Sequence, residues 1–178
     1  MKFTIHRDVL LPALQLLAPV PQKKPVIPVY GMFRISCDVH AACVFANNME
    51  IAASCIIPHD ADTYDDGDIC VPAPRIVDFV GSCGEEVVFS STDTRLRISS
   101  GKSRIELPID DPSKFPHMEF HDPTIEFSLS AAVLAEALTP AMLMIDWENK
   151  SMPAVSGALI HGTGEHVDIV GTDGKRLA

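Results

Sequence analysis

The N-terminal residues alternate between apolar and polar side chains and then change to a helical spacing. The alternation in MKFTIHR, residues 1–7, predicts a half-buried strand. Three leucines then recur at the spacing of one helical face: Leu10, Leu14 and Leu17. This stripe predicts an amphipathic helix that begins at about Asp8. Pro12 is expected near its start, where the missing N–H is least needed.

Runs rich in β-formers follow the first helix. We predict strands near residues 29–37, 42–46 and 51–57. A second, shorter helix is predicted in VPAPRIVDFVGSCG, with Pro72 or Pro74 in its first turn and Gly81 at its C-terminal cap. EVVFSST, RLRISS and SRIELPI predict the strands that close the unit. This order indicates an α+β fold, in which two helices lie on one face of antiparallel sheet.

Part of this pattern occurs twice along the chain. FTIHRDVLLPALQLL begins at Phe3 and FSLSAAVLAEALTPA begins at Phe127, an offset of 124 residues. IPVYGMFRI then resembles MPAVSGALI, and VFANNMEIAA resembles IVGTDGKRLA, in the same order and at offsets no larger than 126. We therefore predict a complete unit at residues 1–121 and the first part of a second unit at 122–178.

The charge balance argues against a simple nucleic-acid binder. Lys and Arg number 14 against 24 Asp and Glu, which gives a net charge of −10. Binding that depends mainly on phosphate attraction usually requires a basic surplus. Any role on DNA therefore needs the basic side chains to gather on one surface. No apolar run approaches the ~20 residues of a membrane span, and no signal peptide is evident, so we expect a cytoplasmic protein without a membrane partner.

Motifs for metal or catalytic sites are not found in the sequence. The five cysteines form no C-x-x-C pair and are expected to be free thiols that pack as small hydrophobes. The acidic loop at residues 58–68 does not match an EF-hand and is predicted to be a solvated turn. Its carboxylates are Asp60, Asp62, Asp65, Asp66 and Asp68. We predict no metal and no cofactor, and a small metal-dependent enzyme that uses this loop is a remote alternative.

Several segments occur in the order found in one protein family. They are MKFTIHRDVLLPALQ, PVIPVYGMFRI, CVPAPRIVDFV, RISSGKSRIELP, the Phe115–Pro116 pair and GTDGKRLA. Over essentially its whole length the chain resembles the bacterial sliding clamp family, the beta subunit of DNA polymerase III. The resemblance implies the DNA clamp fold, which repeats strand–helix–strands units and packs two helices on antiparallel sheet in each domain.

The resemblance also implies a function. Two clamp chains close head to tail into a ring around duplex DNA, and the ring tethers the polymerase by topology. Enclosure needs only weak, sequence-independent phosphate contacts, so it is compatible with an acidic chain. The implied partners are double-stranded DNA, the DNA polymerase III catalytic subunit, the clamp loader and a second clamp chain. The implied role is a non-catalytic processivity subunit.

Three sets of site residues follow from the resemblance. Contacts with DNA are implied at Lys23, Lys24, Arg75, Asn149 and Lys150. An edge strand that joins the partner chain is implied at Lys102, Arg104, Ile105 and Leu107. One wall of a groove for apolar-aromatic peptides of partner proteins is implied at Val155, Thr172, Gly174, Lys175, Arg176 and Leu177.

Two interpretations of the chain are consistent with this resemblance. The first is an N-terminal portion of a sliding clamp, because the rest of the middle domain and the third domain have no counterpart in the 178 residues. The alternative is a short clamp-like protein that self-associates or competes for clamp partners. In either case residues 122–178 are expected to be marginally stable alone, because half a domain exposes an apolar face and open sheet edges.

Overall fold

Two units divide the chain: Met1–Phe120, called unit 1, and His121–Ala178, called unit 2. The computed structural model describes residues 1–59, 64–116, 127–149, 151–164 and 166–178. The division falls one residue before the domain boundary that the sequence repeat predicts.

Unit 1 alternates helices with groups of strands. In chain order its elements are β1 (Lys2–His6), α1 (Arg7–Leu17), β2 (Met32–Cys37), β3 (Ala42–Asn47), β4 (Ala52–Ile57), β5 (Gly67–Pro72), α2 (Ala73–Gly81), β6 (Glu86–Ser91), β7 (Arg95–Ser100) and β8 (Ser103–Pro108). Short 3-10 helices cover Pro28–Gly31 and Pro112–Lys114.

The two halves of unit 1 exchange their first strands. The described strands form two antiparallel sheets, in the orders β1-β6-β7-β8 and β4-β3-β2-β5. The residue before each helix pairs with the first residue of the strand that follows the other helix. These pairs are His6 with Glu86 and Pro72 with Met32. The halves β1-α1-β2-β3-β4 and β5-α2-β6-β7-β8 are therefore related by an internal two-fold pattern.

The core of unit 1 is made by the apolar faces of both sheets and both helices. The predicted helical stripe of Leu10, Leu14 and Leu17 is buried, as the sequence periodicity predicts. Phe3 on β1 stacks on Phe89 of β6, with 4.7 Å between ring centroids. Each such fully buried side chain contributes about 1.5–3 kcal/mol. Exchange of β1 therefore buries an apolar contact between the halves.

One strand was missed by the sequence analysis. Residues of β5 were assigned partly to the acidic loop and partly to the second helix, and this assignment was wrong. Three successive residues, Ile69, Cys70 and Val71, are buried, so the strand lacks the alternation by which strands are found. Asp68 is not a solvated loop residue, because its carboxylate accepts hydrogen bonds of 2.6 and 3.0 Å from Arg34. Asp60 and Asp62 lie outside the described residues.

Two details of the helices also differ from expectation. Pro12 lies in the interior of α1 rather than in its first turn. It therefore removes the interior hydrogen bond to the carbonyl group of Asp8. Gly81 is the last residue of α2 and Ser82 is the C-cap. The Ser82 hydroxyl donates a hydrogen bond of 2.8 Å to the Phe79 carbonyl. This side chain therefore satisfies one of the last helix carbonyl groups, which was expected of a glycine cap.

The cysteines are free thiols, as predicted. Cys37 and Cys70 are buried. Burial raises the pKa of Cys37 to about 11 and that of Cys70 to about 12. Both side chains therefore remain protonated at neutral pH and pack as small apolar groups.

Unit 2 repeats the first half of unit 1. Its elements are α3 (Ala131–Met144), a 3-10 helix (Pro153–Val155), β9 (Leu159–Gly162) and β10 (Val167–Val170). The helix begins 124 residues after the start of α1, and the 3-10 helix begins 125 residues after its counterpart. β9 pairs antiparallel with β10 as β2 pairs with β3. The repeat predicted from the sequence is confirmed.

The segment at residues 127–130 is the exception, because it is not a strand although its counterpart β1 is one. The reason is the pairing of β1 with β6. The second copy would reach its own β6 only after residue 178. Phe127 and Leu129, the counterparts of buried Phe3 and Ile5, are 51% and 43% exposed.

Gly171 provides a test of how unit 2 is packed. A Cβ atom at this position would overlap the backbone of Ala141 in α3, with 2.6 Å to its carbonyl carbon. We expect Gly171→Ala to push α3 away from β10, at a cost of about 1–3 kcal/mol. Amide hydrogen exchange in α3 should then accelerate at least about tenfold. Gly157→Ala is the control, because its added Cβ meets nothing within 4 Å. Equal protection of α3 in the two variants would contradict this packing.

Candidate nucleic-acid and protein interfaces

The basic residues predicted for unit 1 are exposed. Lys23 and Lys24 lie in the loop between α1 and the following 3-10 helix. Pro21 is buried beside them, which fixes the start of this loop. Arg75 is exposed in the first turn of α2. All three cations are therefore available to a ligand in solution.

The start of α1 contacts the end of α2 in unit 1. Arg7, the first residue of α1, donates to the carbonyl oxygens of Val80 (3.3 Å) and Gly81 (3.2 Å) at the end of α2. The Arg7 guanidinium therefore interacts with the negative, C-terminal end of the α2 helix dipole.

β8 is the edge strand of its sheet, but only part of the predicted set lies on it. Lys102 is in the turn before β8, where Gly101 has a φ of 55°, so it lies outside the strand to which the resemblance assigns it. This is the glycine-first geometry of a two-residue hairpin. β8 begins at Ser103, as the segment SRIELPI predicts. Ser100 and Ser103 close the hairpin. By alternation along the ladder, Arg104 and Glu106 direct their backbone groups away from β7.

The side chains of β8 divide between the core and the surface. Leu107 is only 5% exposed and packs in the core, so its side chain cannot serve as a contact surface. Ile105 is partly buried, whereas Arg104 is exposed. Glu106 accepts a 2.6 Å hydrogen bond from Arg97 on β7, which lowers the pKa of its carboxyl group. The outer face at this edge therefore holds more arginines than carboxylates.

A depression of about 460 Å³ lies in unit 2. It is lined by Ile145, Asp146, Asn149, Asp173, Lys175 and Arg176. The structure thus brings together Asn149 from the predicted DNA contacts and Lys175 and Arg176 from the predicted peptide groove. The sequence analysis missed Ile145, Asp146 and Asp173 as lining residues, since neither the repeat nor the resemblance singled them out.

Asn149 has a structural task in this depression. Its Oδ1 accepts hydrogen bonds from the backbone N–H groups of Ser151 (3.1 Å) and Met152 (3.0 Å). An Asn side chain that bonds the backbone ahead of it fixes a turn. Its Oδ1 is therefore occupied by the turn and is not free to accept a hydrogen bond from a ligand without competition. Lys150 lies outside the described residues.

The turn in GTDGKRLA is held by its own side chains. Asp173 Oδ1 accepts from the amides of Lys175 (2.9 Å) and Arg176 (2.7 Å), and Oδ2 accepts from the Arg176 guanidinium at 2.9 and 3.0 Å. The Thr172 hydroxyl donates to the Arg176 carbonyl at 2.6 Å. Gly174 has a φ of 82°, which favours glycine.

The same turn occurs in unit 1, where Asn48 takes the place of Asp173. Asn48 Oδ1 accepts from the amides of Glu50 (3.0 Å) and Ile51 (2.8 Å). Met49, with a φ of 75°, occupies the position of Gly174. The aligned Asn48 and Asp173 are the sequence signal that could have identified Asp173 as the residue that organises this turn.

The two apolar residues predicted for the groove differ in exposure. Val155 is 6% exposed, and its carbonyl accepts from the Asp146 amide at 3.0 Å. It therefore supports the depression from below and does not form its surface. Leu177 is 73% exposed and bridges back to Thr172. Leu177 is thus the accessible apolar side chain of the predicted set.

The described ranges contain neither a candidate metal site nor a candidate membrane span. Within the described ranges, no group of three or more His, Cys, Asp or Glu side chains is arranged to hold a metal ion. None of the helices in those ranges has the length and apolarity required to cross a bilayer.

Comparison with known proteins identifies the family. Residues 1–119 match the DNA polymerase III beta subunit, N-terminal domain, and the chain belongs to this family. The beta sliding clamps of Pseudomonas aeruginosa and Escherichia coli are 25% and 24% identical to it, over alignments that cover 100% of the chain. The chain spans about half the length of these relatives, 48% and 49% respectively.

Solved structures agree with the fold. A DnaN sliding clamp (DNA polymerase III subunit beta) from P. aeruginosa bound to griselimycin has a TM-score of 0.93 at 23% identity, and covers 99% of this chain and 48% of its own. A Helicobacter pylori beta clamp has a TM-score of 0.91 at 22% identity, with the same coverage. The predicted α+β clamp fold is confirmed.

We predict that the stability of the Asp173 turn depends on pH. Its hydrogen bonds from the Arg176 and Lys175 amides and the Arg176 side chain lower the pKa of Asp173 from 3.8 to about 2. A carboxyl group whose pKa is lower in the folded state stabilises the turn above its unfolded pKa. That stabilisation is fully present above about pH 4 and is lost as the pH falls through about 2.

The amide chemical shifts of Lys175 and Arg176 report this titration directly. We expect a midpoint near pH 2, and Asp173→Asn should remove the transition. A midpoint near 4 for the Asp173 turn would show that its hydrogen bonds do not persist in solution.

Proposed function

We propose that this chain acts as part of a DNA sliding clamp, a processivity factor that keeps a replicative polymerase on duplex DNA by encircling it. The observation that carries the proposal is the repeated strand–helix–strands unit of the sliding clamp family, which recurs in the chain with its helices and turns in register. A repeating unit with one face of sheet and one face of helix is suited to building a closed ring. Retention then depends on topology, and no reactive group is required, so the proposed role is non-catalytic.

The charge distribution supports enclosure rather than tight binding. The chain carries a net charge of −10, while Lys23, Lys24 and Arg75 are exposed. A few phosphate contacts orient DNA without reading its sequence. Many such contacts would slow sliding, because each one adds to the electrostatic affinity.

Two surfaces support the proposed protein partners. The open edge of β8, with Arg104 and Ile105, is suited to adding a strand from a second clamp chain. The depression beside the Asp173 turn, with exposed Leu177 near cationic Lys175 and Arg176, is suited to a short apolar peptide from a polymerase or clamp loader. We propose the DNA polymerase III catalytic subunit and the clamp loader as the partners of this depression.

Topological retention is the direct test of the proposed function. The full-length protein is loaded onto a nicked circular plasmid with the clamp loader of the same cell and ATP, and the products are separated by gel filtration in high salt. We expect protein to remain with the circle and to be released when the plasmid is cut once. Release from the circle itself, or equal retention on linear DNA, would contradict enclosure.

Salt dependence tests the predicted DNA contacts. If Lys23 and Lys24 each touch a phosphate, the double variant Lys23→Ala/Lys24→Ala should lower the slope of log K against log salt by about 2. Binding to a short linear duplex can be measured by fluorescence anisotropy at several salt concentrations. Lys114→Ala is the matched control, because the Lys114 ammonium is paired with Asp110 at 2.7 Å. An unchanged slope in the double variant would remove both lysines from the interface.

A further inference from the structure

Two buried side chains of unit 1 lie on the outer face of the sheet β4-β3-β2-β5, away from the core. Alternation along β3 turns Ala46 inward and Asn47 outward, yet Asn47 is only 3% exposed. Cys70 pairs across the ladder with Arg34 of the outer face, yet Cys70 is 0% exposed. Among the described residues, the apolar cluster that forms the core contains neither of them. A segment outside the sheet must therefore cover both.

The covering segment is residues 110–116, called the strap, which follow β8. Cys70 and Asp110 exchange two backbone hydrogen bonds, with N–O distances of 3.1 and 2.9 Å. The 3-10 helix within the strap also contacts β5. The side chain of Asn47 donates from Nδ2 to the Pro116 carbonyl oxygen at 3.0 Å. The strap is therefore attached at β5 and again at the end of β3, two strands away in the same sheet.

The strap is held in shape by its own contacts. The Lys114 ammonium donates to the Asp110 carboxylate at 2.7 Å. Asp111 Oδ1 caps the 3-10 helix by accepting from the Ser113 amide at 2.9 Å. Just before the strap, Ile109 packs against the core. The strap can therefore leave the sheet as one body that is hinged at Ile109, without loss of these internal bonds.

The repeat shows which bond of Asn47 serves the strap. Thr172 occupies the same position in unit 2, where its hydroxyl accepts from the Gly174 amide at 3.0 Å. Asn47 Oδ1 does the same for the Met49 amide at 2.7 Å. The turn is therefore held by an acceptor alone, and the bond from Asn47 Nδ2 to Pro116 is additional to it. A buried amide whose second bond reaches outside its own turn acts as a fastening.

We propose that the strap is a releasable latch that sets how much chain joins unit 1 to unit 2. In the part of the chain that the structure describes, three hydrogen bonds join the strap to the rest of unit 1, two at Cys70 and one at Asn47. Segments with few such bonds open at a lower free energy than the sheets beneath them. Docked, the strap holds Pro116 on unit 1. Released, it lets residues 110–116 extend by up to about 3.5 Å each.

Alkylation of the native cysteines tests whether the strap opens. Cys70 can react only when the strap leaves it, whereas Cys37 faces the core and reacts only when the sheet itself opens. The full-length protein is treated with iodoacetamide in native buffer, and labelling of each cysteine peptide is followed by mass spectrometry. We expect Cys70 to react at least about tenfold faster than Cys37. Equal rates would overturn the proposal, because both thiols would then depend on the same unfolding.

The variant Asn47→Asp tests the fastening itself. Its carboxylate keeps an acceptor for the Met49 amide but has no N–H to donate to the Pro116 carbonyl. Because that buried carbonyl then lacks its donor, we expect alkylation of Cys70 to accelerate at least about tenfold, with the rate at Cys37 unchanged. An unchanged rate at Cys70 would contradict the latch. Equal acceleration of both thiols would contradict it too, since Asn47 would then support the whole sheet.

Asn48→Asp is the matched control, because it makes the same chemical change one residue further along. Asp173 holds the equivalent turn of unit 2 through the same acceptor atom, so this variant should keep its turn. We expect the alkylation rates of Cys70 and Cys37 to stay as in the unchanged protein. Acceleration of Cys70 equal to that in Asn47→Asp would show that the added charge, and not the lost donor, releases the strap, and would overturn the assignment of Asn47.

Discussion

The exchange of first strands between half-units is the constraint on which the rest of this structure depends. In unit 1, β1 and β5 each leave their own half and complete the sheet of the other. Neither half can bury its apolar face alone, because the strand that covers each sheet edge comes from the opposite half. The Phe3–Phe89 stack and the bonds from Arg7 to the end of α2 join the halves at two further places. Unit 1 is therefore expected to unfold as one cooperative body.

Unit 2 shows which elements form without strand exchange. Its helix, 3-10 helix, β-hairpin and Asp173 turn match their counterparts in unit 1, so local sequence is enough to form them. Residues 127–130 do not form a strand, although they alternate as β1 does, because a strand needs a partner. The elements whose contacts lie within the first half of a unit therefore recur in unit 2. The first strand, which in unit 1 pairs with the second half, does not form at residues 127–130.

The same distinction explains what could be predicted from the sequence. Leu10, Leu14 and Leu17 were identified by periodicity, and the repeat was identified from aligned segments, because both signals are local. β5 was missed because three successive buried residues hide its alternation, and their burial results from tertiary packing. The candidate site residues were identified from the resemblance to the clamp family. Their geometry could not be obtained in this way. Burial of Leu107 and Val155 depends on tertiary contacts that spacing does not encode.

Amide hydrogen exchange of unit 1 in increasing denaturant tests the central claim most directly. If each sheet is completed by a strand from the other half, β2 and β6 should lose protection with the same free energy of opening. Phe3→Ala should lower the protection of both strands equally, although Phe3 pairs with β6 and not with β2. A loss of protection that is confined to β6 in this variant would contradict the account.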